Sequence, residues 1–350
     1  MSRIPPWLFR KASRRSANIA ALLPACRDLQ SAMNEFRWLK EHVNSTASAS
    51  KENLLSRLCR KRGQGYPLQY ILGSQPFGPL DVKCRPSVLI PRPETEAYTY
   101  HLADLIKAGS LRTGEPDQRL GIVDFCTGTG CIPLLLYSLL YRKFEHLEVV
   151  GVDISDQAVS LSRDNIGHNV KLGHLPQPRP NRILNILQQD IFQDKVIEKL
   201  QGRTWDVMVS NPPYISRRVW YRGGGQIGHS VRKYEPSLAL VPGNDISIPA
   251  NWDHEDVFYS RLLNIAYKLK PKVILLEVGD ETQALRVISR FFQHKLATNS
   301  HVEVWRDWPD LTPSHDEETS LKIIMDDGSS RLVSTKGSGN IRSIFIKLDV

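Results

Sequence analysis

Four short apolar runs in the middle of the chain, each ending in a polar or glycine-rich tip, constrain the fold more than any other feature. They are Gly121-Ile122-Val123-Asp124-Phe125, Val149-Val150-Gly151-Val152-Asp153, Ile186-Leu187-Gln188-Gln189-Asp190 and Trp205-Asp206-Val207-Met208-Val209-Ser210. Runs this short and this apolar read as strands buried on both faces of a parallel sheet. From about Pro93 strands alternate with helical segments, as helices on both faces of such a sheet require. Parallel strands deliver their C-terminal tips to one edge, so the tips meet whatever their separation in sequence.

Each tip has a chemistry. The first run leads into Cys126-Thr127-Gly128-Thr129-Gly130 and a helical segment from Cys131 to Tyr141. Glycines there let backbone N–H groups and a helix N-terminus approach a ligand. Pro133 suits the first helical turn, but it stands where a dinucleotide site wants a third glycine, which favours a ligand without a pyrophosphate. Asp153 is placed to accept hydrogen bonds from ribose hydroxyls. Asp190 suits either an adenine amine or the start of the next helix, and both readings stay open. The fourth run ends in Asn211-Pro212-Pro213-Tyr214. Two prolines fix an extended backbone without donors, so the Asn211 side-chain oxygen and the Pro212 carbonyl are two rigid acceptors beside the Tyr214 ring. That arrangement suits a planar –NH2 group, a carboxamide or the amine of a base; an ordinary strand-ending turn is the plain alternative.

Asp124 to Gly130, Asp153 and Asn211 to Tyr214 together resemble a class I S-adenosylmethionine-dependent methyltransferase with a Rossmann-like α/β sheet. Three more stretches narrow the resemblance: Tyr66 to Gly73, Pro76-Phe77-Gly78, and Val88-Leu89-Ile90-Pro91-Arg92-Pro93-Glu94-Thr95-Glu96. With Tyr234 to Leu240, they are similar to the HemK/PrmC family, which methylates the glutamine side-chain nitrogen in the Gly-Gly-Gln motif of peptide-chain release factors. The resemblance implies that Cys126, Thr127, Gly128, Thr129, Gly130, Asp153, Asp190 and Asn211 hold S-adenosylmethionine. It implies that Asn211, Pro212, Pro213 and Tyr214 hold the acceptor amide, with Phe77 packed beside Tyr214 against it and Arg92 and Glu94 at the mouth of the site. Arg92 and Glu94 also read as a structural ion pair at a domain junction. The family usually has glycine where Cys126 stands; a Cβ there demands that the backbone avoid positive φ. Residues 312–340 have no clear family counterpart, and residues 171–182 read as a surface insertion.

The formal charge of +9 suggests an acidic partner such as RNA, yet six basic residues lie before the first acid, Asp28, and without them the charge is +3. That basic opening reads as a mitochondrial transit peptide over residues 1–27, addressed to the matrix, or as a disordered basic arm. A helical N-terminal domain is expected over 28–75, a hairpin linker over 76–92 and the methyltransferase domain over 93–350. The five cysteines lack a Cys-x-x-Cys and read as reduced thiols, no histidine spacing suggests a metal, and no apolar run is long enough to span a bilayer. A monomer with a release factor as protein substrate, near the ribosome and its RNA, is expected. Two rival readings remain: a nucleic-acid adenine N6-methyltransferase, and a non-catalytic RNA- or ribosome-binding protein on the same fold. Arg222-Gly223-Gly224-Gly225-Gln226 itself contains Gly-Gly-Gln, and reads as a mobile lid or as a segment that enters the chain's own site.

Overall fold

A computed structural model describes residues 3–47, 50–111, 119–223 and 227–348. It divides the chain into two units, each built from several segments: Met1–Gln75, Cys84–Ile90 and Arg218–Pro236 in the first, and Pro76–Lys83, Pro91–Arg217 and Ser237–Val350 in the second.

The first unit opens with helices α1 (Pro6–Arg15), α2 (Ala17–Cys26), α3 (Leu29–Ser45), α4 (Lys51–Gly63) and α5 (Leu68–Leu72). Asp28 caps α3 by accepting the Ser31 N–H at 2.8 Å. Ala12, Ile19, Ala20, Leu22 and Leu23 of α1 and α2 share one core with Ala32, Leu39, Cys59, Leu68 and Ile71. The helical unit therefore begins near Pro6 rather than at residue 28. The opening segment carries arginines on its surface, but its apolar side is core that α3 and α4 need.

A hairpin of β1 (Ser74–Phe77) and β2 (Leu80–Lys83) precedes α6 (Pro93–Lys107). Buried Asn165 and Asn169 pin β2 by accepting the Lys83 N–H at 2.8 Å and the Asp81 N–H at 2.9 Å. The expected linker of 76–92 is thus split, with β2 fastened to the sheet unit and Cys84–Ile90 assigned to the helical one.

Strands β3 (Arg119–Phe125), β4 (His146–Asp153), β5 (Arg182–Gln188) and β6 (Val207–Ser210) alternate with α7 (Cys131–Leu140), α8 (Asp156–Lys171) and α9 (Lys195–Leu200). Then follow α10 (Arg217–Arg222), α11 (His229–Tyr234), α12 (Val257–Leu269), β7 (Val273–Glu277), α13 (Glu281–Phe292), β8 (Ser300–Trp308), β9 (Ser320–Ile324), β10 (Ser330–Lys336) and β11 (Ser338–Leu348). The sheet order is β5-β4-β3-β6-β7-β11-β8-β10-β9. Its first five strands are mutually parallel, while β11 runs antiparallel between β7 and β8. Both faces are dry: Val123 and Phe125 face the core formed with α12 and α13, and Leu120 and Ile122 face that formed with α6 and α7. Residues 312–340, without a counterpart in sequence, supply β9, β10 and the start of β11, extending the sheet beyond β8.

Arg218–Pro236 belongs to the helical unit, although it follows Asn211–Tyr214 directly. The reason is non-local packing: Tyr234 meets the Tyr66 ring edge-on at 5.0 Å, and the Glu235 carboxylate accepts the Ile90 N–H at 3.2 Å. Gly224, Gly225 and Gln226 lie outside the described residues.

Candidate active site

The carboxyl ends of β3, β4, β5 and β6 form one edge, and the loops leaving it are tied together by short bonds. After β3 the chain turns through Cys126 at φ 61, Gly128 at φ 58 and Gly130 at φ 79. This overturns the expectation for Cys126: the loop demands a left-handed residue there, and cysteine adopts it despite its Cβ. The conformation costs roughly 1–2 kcal/mol for a side-chain-bearing residue. Burial pushes the Cys126 thiol well up, so it is neutral at physiological pH. A Cβ on Gly128 would meet nothing within 4 Å, whereas one on Gly130 would approach Leu134 at 3.0 Å and Ser162 at 3.1 Å. Gly128 therefore presents bare backbone to open space, while Gly130 lets α7 close against α8. The Thr127 N–H donates to the Val152 carbonyl at 3.1 Å and Asn165 Nδ2 to the Thr129 carbonyl at 2.9 Å, which hold the loop across β4 and α8.

Asp153 is the hub of this edge. Its Oδ2 accepts the Gly128 N–H and its Oδ1 the Ser155 N–H, both at 2.9 Å. Burial raises its pKa, against the pull of these N–H donors. The carboxylate thus shapes the loop as well as offering its remaining lone pairs outward. At the tip of β5, Asp190 Oδ1 accepts the Phe192 N–H at 2.9 Å in a local turn, and α9 starts only after Asp194, so Asp190 does not cap that helix. Its charge also acts on Cys126, which puts Asp190 beside the glycine loop.

Asn211 follows β6 partly exposed, with Pro212 and Pro213 buried behind it. The Ser210 hydroxyl donates to the Phe125 carbonyl at 2.9 Å, fastening this tip to that of β3. The Ile215 N–H donates to the Leu240 carbonyl at 2.8 Å, which gives part of the Tyr234–Leu240 stretch a structural task. Arg92 occupies the N-cap position of α6 and Glu94 its first turn, where a negative charge suits the helix dipole. The positive charge of Arg92 lowers the Tyr214 pKa, although burial keeps that phenol well up. Phe77 is 1% exposed and packs in the core with Tyr98, Leu102 and Leu135, a place that accounts for its ring without any ligand.

Two carboxylates have a place in the structure that the sequence reading did not assign: Asp124, named there only within a motif, and Glu277. Asp124 is fully buried, and no hydrogen bond of good geometry reaches either of its oxygens or the Thr127 hydroxyl beside it. Burial, with the nearby Asp153 charge adding to it, pushes the Asp124 carboxyl up to about 8. Glu277, at the end of β7, is 2% exposed and accepts from the Tyr214 hydroxyl at 3.0 Å. An isolated acid inside an apolar strand run was the signal for both.

The strand order, the glycine loop and the acid at the second strand tip define a class I methyltransferase. Residues 81–241 match the profile of a family described as RNA methyltransferase. A mitochondrial MRF1 N(5)-glutamine methyltransferase of Saccharomyces cerevisiae is 36% identical over 69% of this chain and 68% of its own length. A probable counterpart in Schizosaccharomyces pombe is 34% identical over 66% of this chain and 71% of its own. Among solved structures, the catalytic domain of hMettl16 in complex with an RNA hairpin overlaps 96% of this chain and 93% of its own, with 13% identity and a TM-score of 0.44. The chain belongs to the release factor N(5)-glutamine methyltransferase family.

Proposed function

We propose that this protein transfers a methyl group from S-adenosylmethionine to the side-chain amide nitrogen of the Gly-Gly-Gln glutamine in a mitochondrial release factor. The convergence of the glycine loop, Asp153 and Asn211–Tyr214 on one sheet edge carries this reading. The residues present fit the methyl donor. Gly128 leaves backbone open to a ligand, Asp153 offers ribose hydroxyls an acceptor, and the unpartnered buried Asp124 suits a ligand's cationic ammonium. When bound, S-adenosylmethionine supplies an electrophilic methyl group on a sulfonium. Asp190 borders the base end of that site.

Asn211 Oδ1 and the Pro212 carbonyl accept the two amide N–H groups and turn the amide nitrogen toward the donor. Tyr214 walls the amide off from water. An amide nitrogen is a poor nucleophile because its lone pair is delocalised, so rate comes from orientation and desolvation. The nitrogen loses one proton to water as it gains the methyl group. Arg92 and Glu94, at the start of α6, border the same mouth, and Phe77 supports it from the core. The protein works in the mitochondrial matrix. That Pro6–Cys26 also supplies core to the helical unit favours a working chain that keeps its basic opening segment.

A second reading, methylation of an adenine amine in RNA, draws on the family profile that residues 81–241 match. Incubation with labelled methyl donor and either a release factor or RNA separates the two. Label on the Gly-Gly-Gln glutamine, lost in Asn211→Ala while the fold persists, supports the protein substrate; label only in RNA overturns it. Label in neither, with the donor bound, supports a non-catalytic role.

A further inference from the structure

Tyr214 is held at both ends by residues of one short stretch, from the last residue of β7 to the first turn of α13. Its hydroxyl donates to Glu277 Oε1 at 3.0 Å, and its carbonyl accepts from Gln283 Nε2 at 3.1 Å. Between these two residues Gly279 passes so close to the ring that a Cβ there would lie 3.1 Å from Tyr214 Cδ2 and 3.2 Å from Gln283 Oε1. Both holding side chains are themselves fixed. Glu277 Oε2 accepts from the Thr95 hydroxyl at 2.7 Å, in the first turn of α6, so one buried carboxylate joins the Arg92–Thr95 stretch to the Asn211–Tyr214 stretch. Gln283 Oε1 accepts the Gly279 N–H at 2.8 Å, and its Nε2 also donates to buried Asp256 at 2.7 Å. Arg286 locks Asp256 with bonds of 2.7 and 3.1 Å.

A strand-ending turn needs no such arrangement. Two side chains, one glycine and the ion pair of buried Asp256 with partly exposed Arg286 all converge on the placement of a single ring. One carboxylate bridges the two hydroxyls, each of its oxygens accepting from one of them.

We propose that Glu277, Gly279 and Gln283 form a brace that sets the position of Tyr214, making Glu277 a positioning residue for methyl acceptance. This rests on the reading of Asn211–Tyr214 as the acceptor clamp. Glu277 touches neither amide nor donor; it acts through the ring. Its neutral isostere keeps the volume but replaces one of the two acceptor oxygens with an NH2 group, so the hydroxyl facing it must turn from donor to acceptor and the contact that sets the ring changes.

The test uses the full chain with Glu277→Gln, Gly279→Ala, Tyr214→Phe and the double variant Glu277→Gln/Tyr214→Phe. A displacement of the clamp by an ångström can cost about a hundredfold in rate. Glu277→Gln and Tyr214→Phe are each expected to lower kcat by that order, leaving S-adenosylmethionine affinity unchanged. The double variant should be no slower than the worse single one, because both remove the same contact. Multiplying losses, or a fall in donor affinity, would overturn the brace. A second readout needs no acceptor: with 3-fluorotyrosine incorporated and the Tyr214 resonance assigned by its loss in Tyr214→Phe, Glu277→Gln and Gly279→Ala should each shift that resonance. An unmoved resonance in both variants overturns the proposal. A wild-type protein that methylates no release factor overturns the proposed function instead, and the fluorine spectrum still decides the brace.

Discussion

Replacing Asp153 by alanine tests whether this carboxylate serves the bound ligand alone or the loop first. In the structure it accepts two backbone N–H groups, from Gly128 and Ser155, at 2.9 Å each. A hydrogen bond to a charged group contributes about 1.5–3 kcal/mol, and an orphaned buried donor costs about 1–3 kcal/mol. Summing both bonds in full overstates the loss. Burial raises the Asp153 pKa despite its donors, so desolvating the carboxylate already offsets part of what they return. The expected destabilisation of the ligand-free protein is therefore about 2 kcal/mol, a fall of roughly 3 °C in unfolding temperature for a chain of 350 residues. Asp153→Asn keeps one acceptor oxygen and should lose about half as much. Calorimetry with S-adenosylmethionine should show weaker binding in both variants, by about a hundredfold for alanine and tenfold for asparagine. A ligand-free alanine variant that unfolds at the wild-type temperature would refute the loop-holding role, even if affinity fell.

Asn211→Ala should abolish methylation with little change in unfolding temperature, since Asn211 lies partly exposed at a strand tip; glutamine-peptide mass spectrometry is the check. Cys126→Gly removes left-handed strain but gives the unfolded chain more freedom, so stability should change by less than about 1 kcal/mol. Unchanged donor affinity in that variant is expected by titration, and a large loss would show that the thiol makes a contact of its own. Leu22→Ala should cost about 2–5 kcal/mol in denaturant unfolding, because Leu22 is fully buried in the helical core. Sequencing the N-terminus of protein purified from mitochondria should find Pro6–Cys26 still present; a start after Arg27 would contradict it. His101, edge-on to Trp305 with its Nε2 unpartnered, has its pKa lowered by burial from 6.5 to about 4. Between those values the unfolded chain binds a proton that the fold refuses, so stability falls as the pH falls through that window. His101→Phe should flatten that limb of the stability–pH curve.

The sheet was legible because its signals are local. Four apolar runs and their tips name β3, β4, β5 and β6 without reference to anything distant, and the tips do meet. What escaped was decided by partners far along the chain. The core residues Leu22 and Leu23 fell outside the expected helical domain because the residues that cover them lie beyond Asp28. Glu277 is an odd acid in a strand until Tyr214 and Thr95, from two other elements, are seen to point at it. Arg218–Pro236 looks like a continuation of the catalytic unit until Tyr66 and Ile90 claim its end. Cys126 was misjudged for the opposite reason: residue type alone excluded a conformation that the turn imposes.

The interleaving of segments has a consequence for biosynthesis. The helical unit draws on three stretches of chain, the last ending at Pro236, so its N-terminal helices leave the ribosome long before Tyr234 and Glu235 exist. While β3 to β6 are being made, Tyr66 lacks its aromatic neighbour and the Ile90 N–H lacks its acceptor. Completion of the first unit is thereby timed to follow the middle of the second, contrary to the usual order in which an N-terminal domain finishes first. A fragment cut before Arg218 would hold every helix up to α5 and still be an unfinished unit.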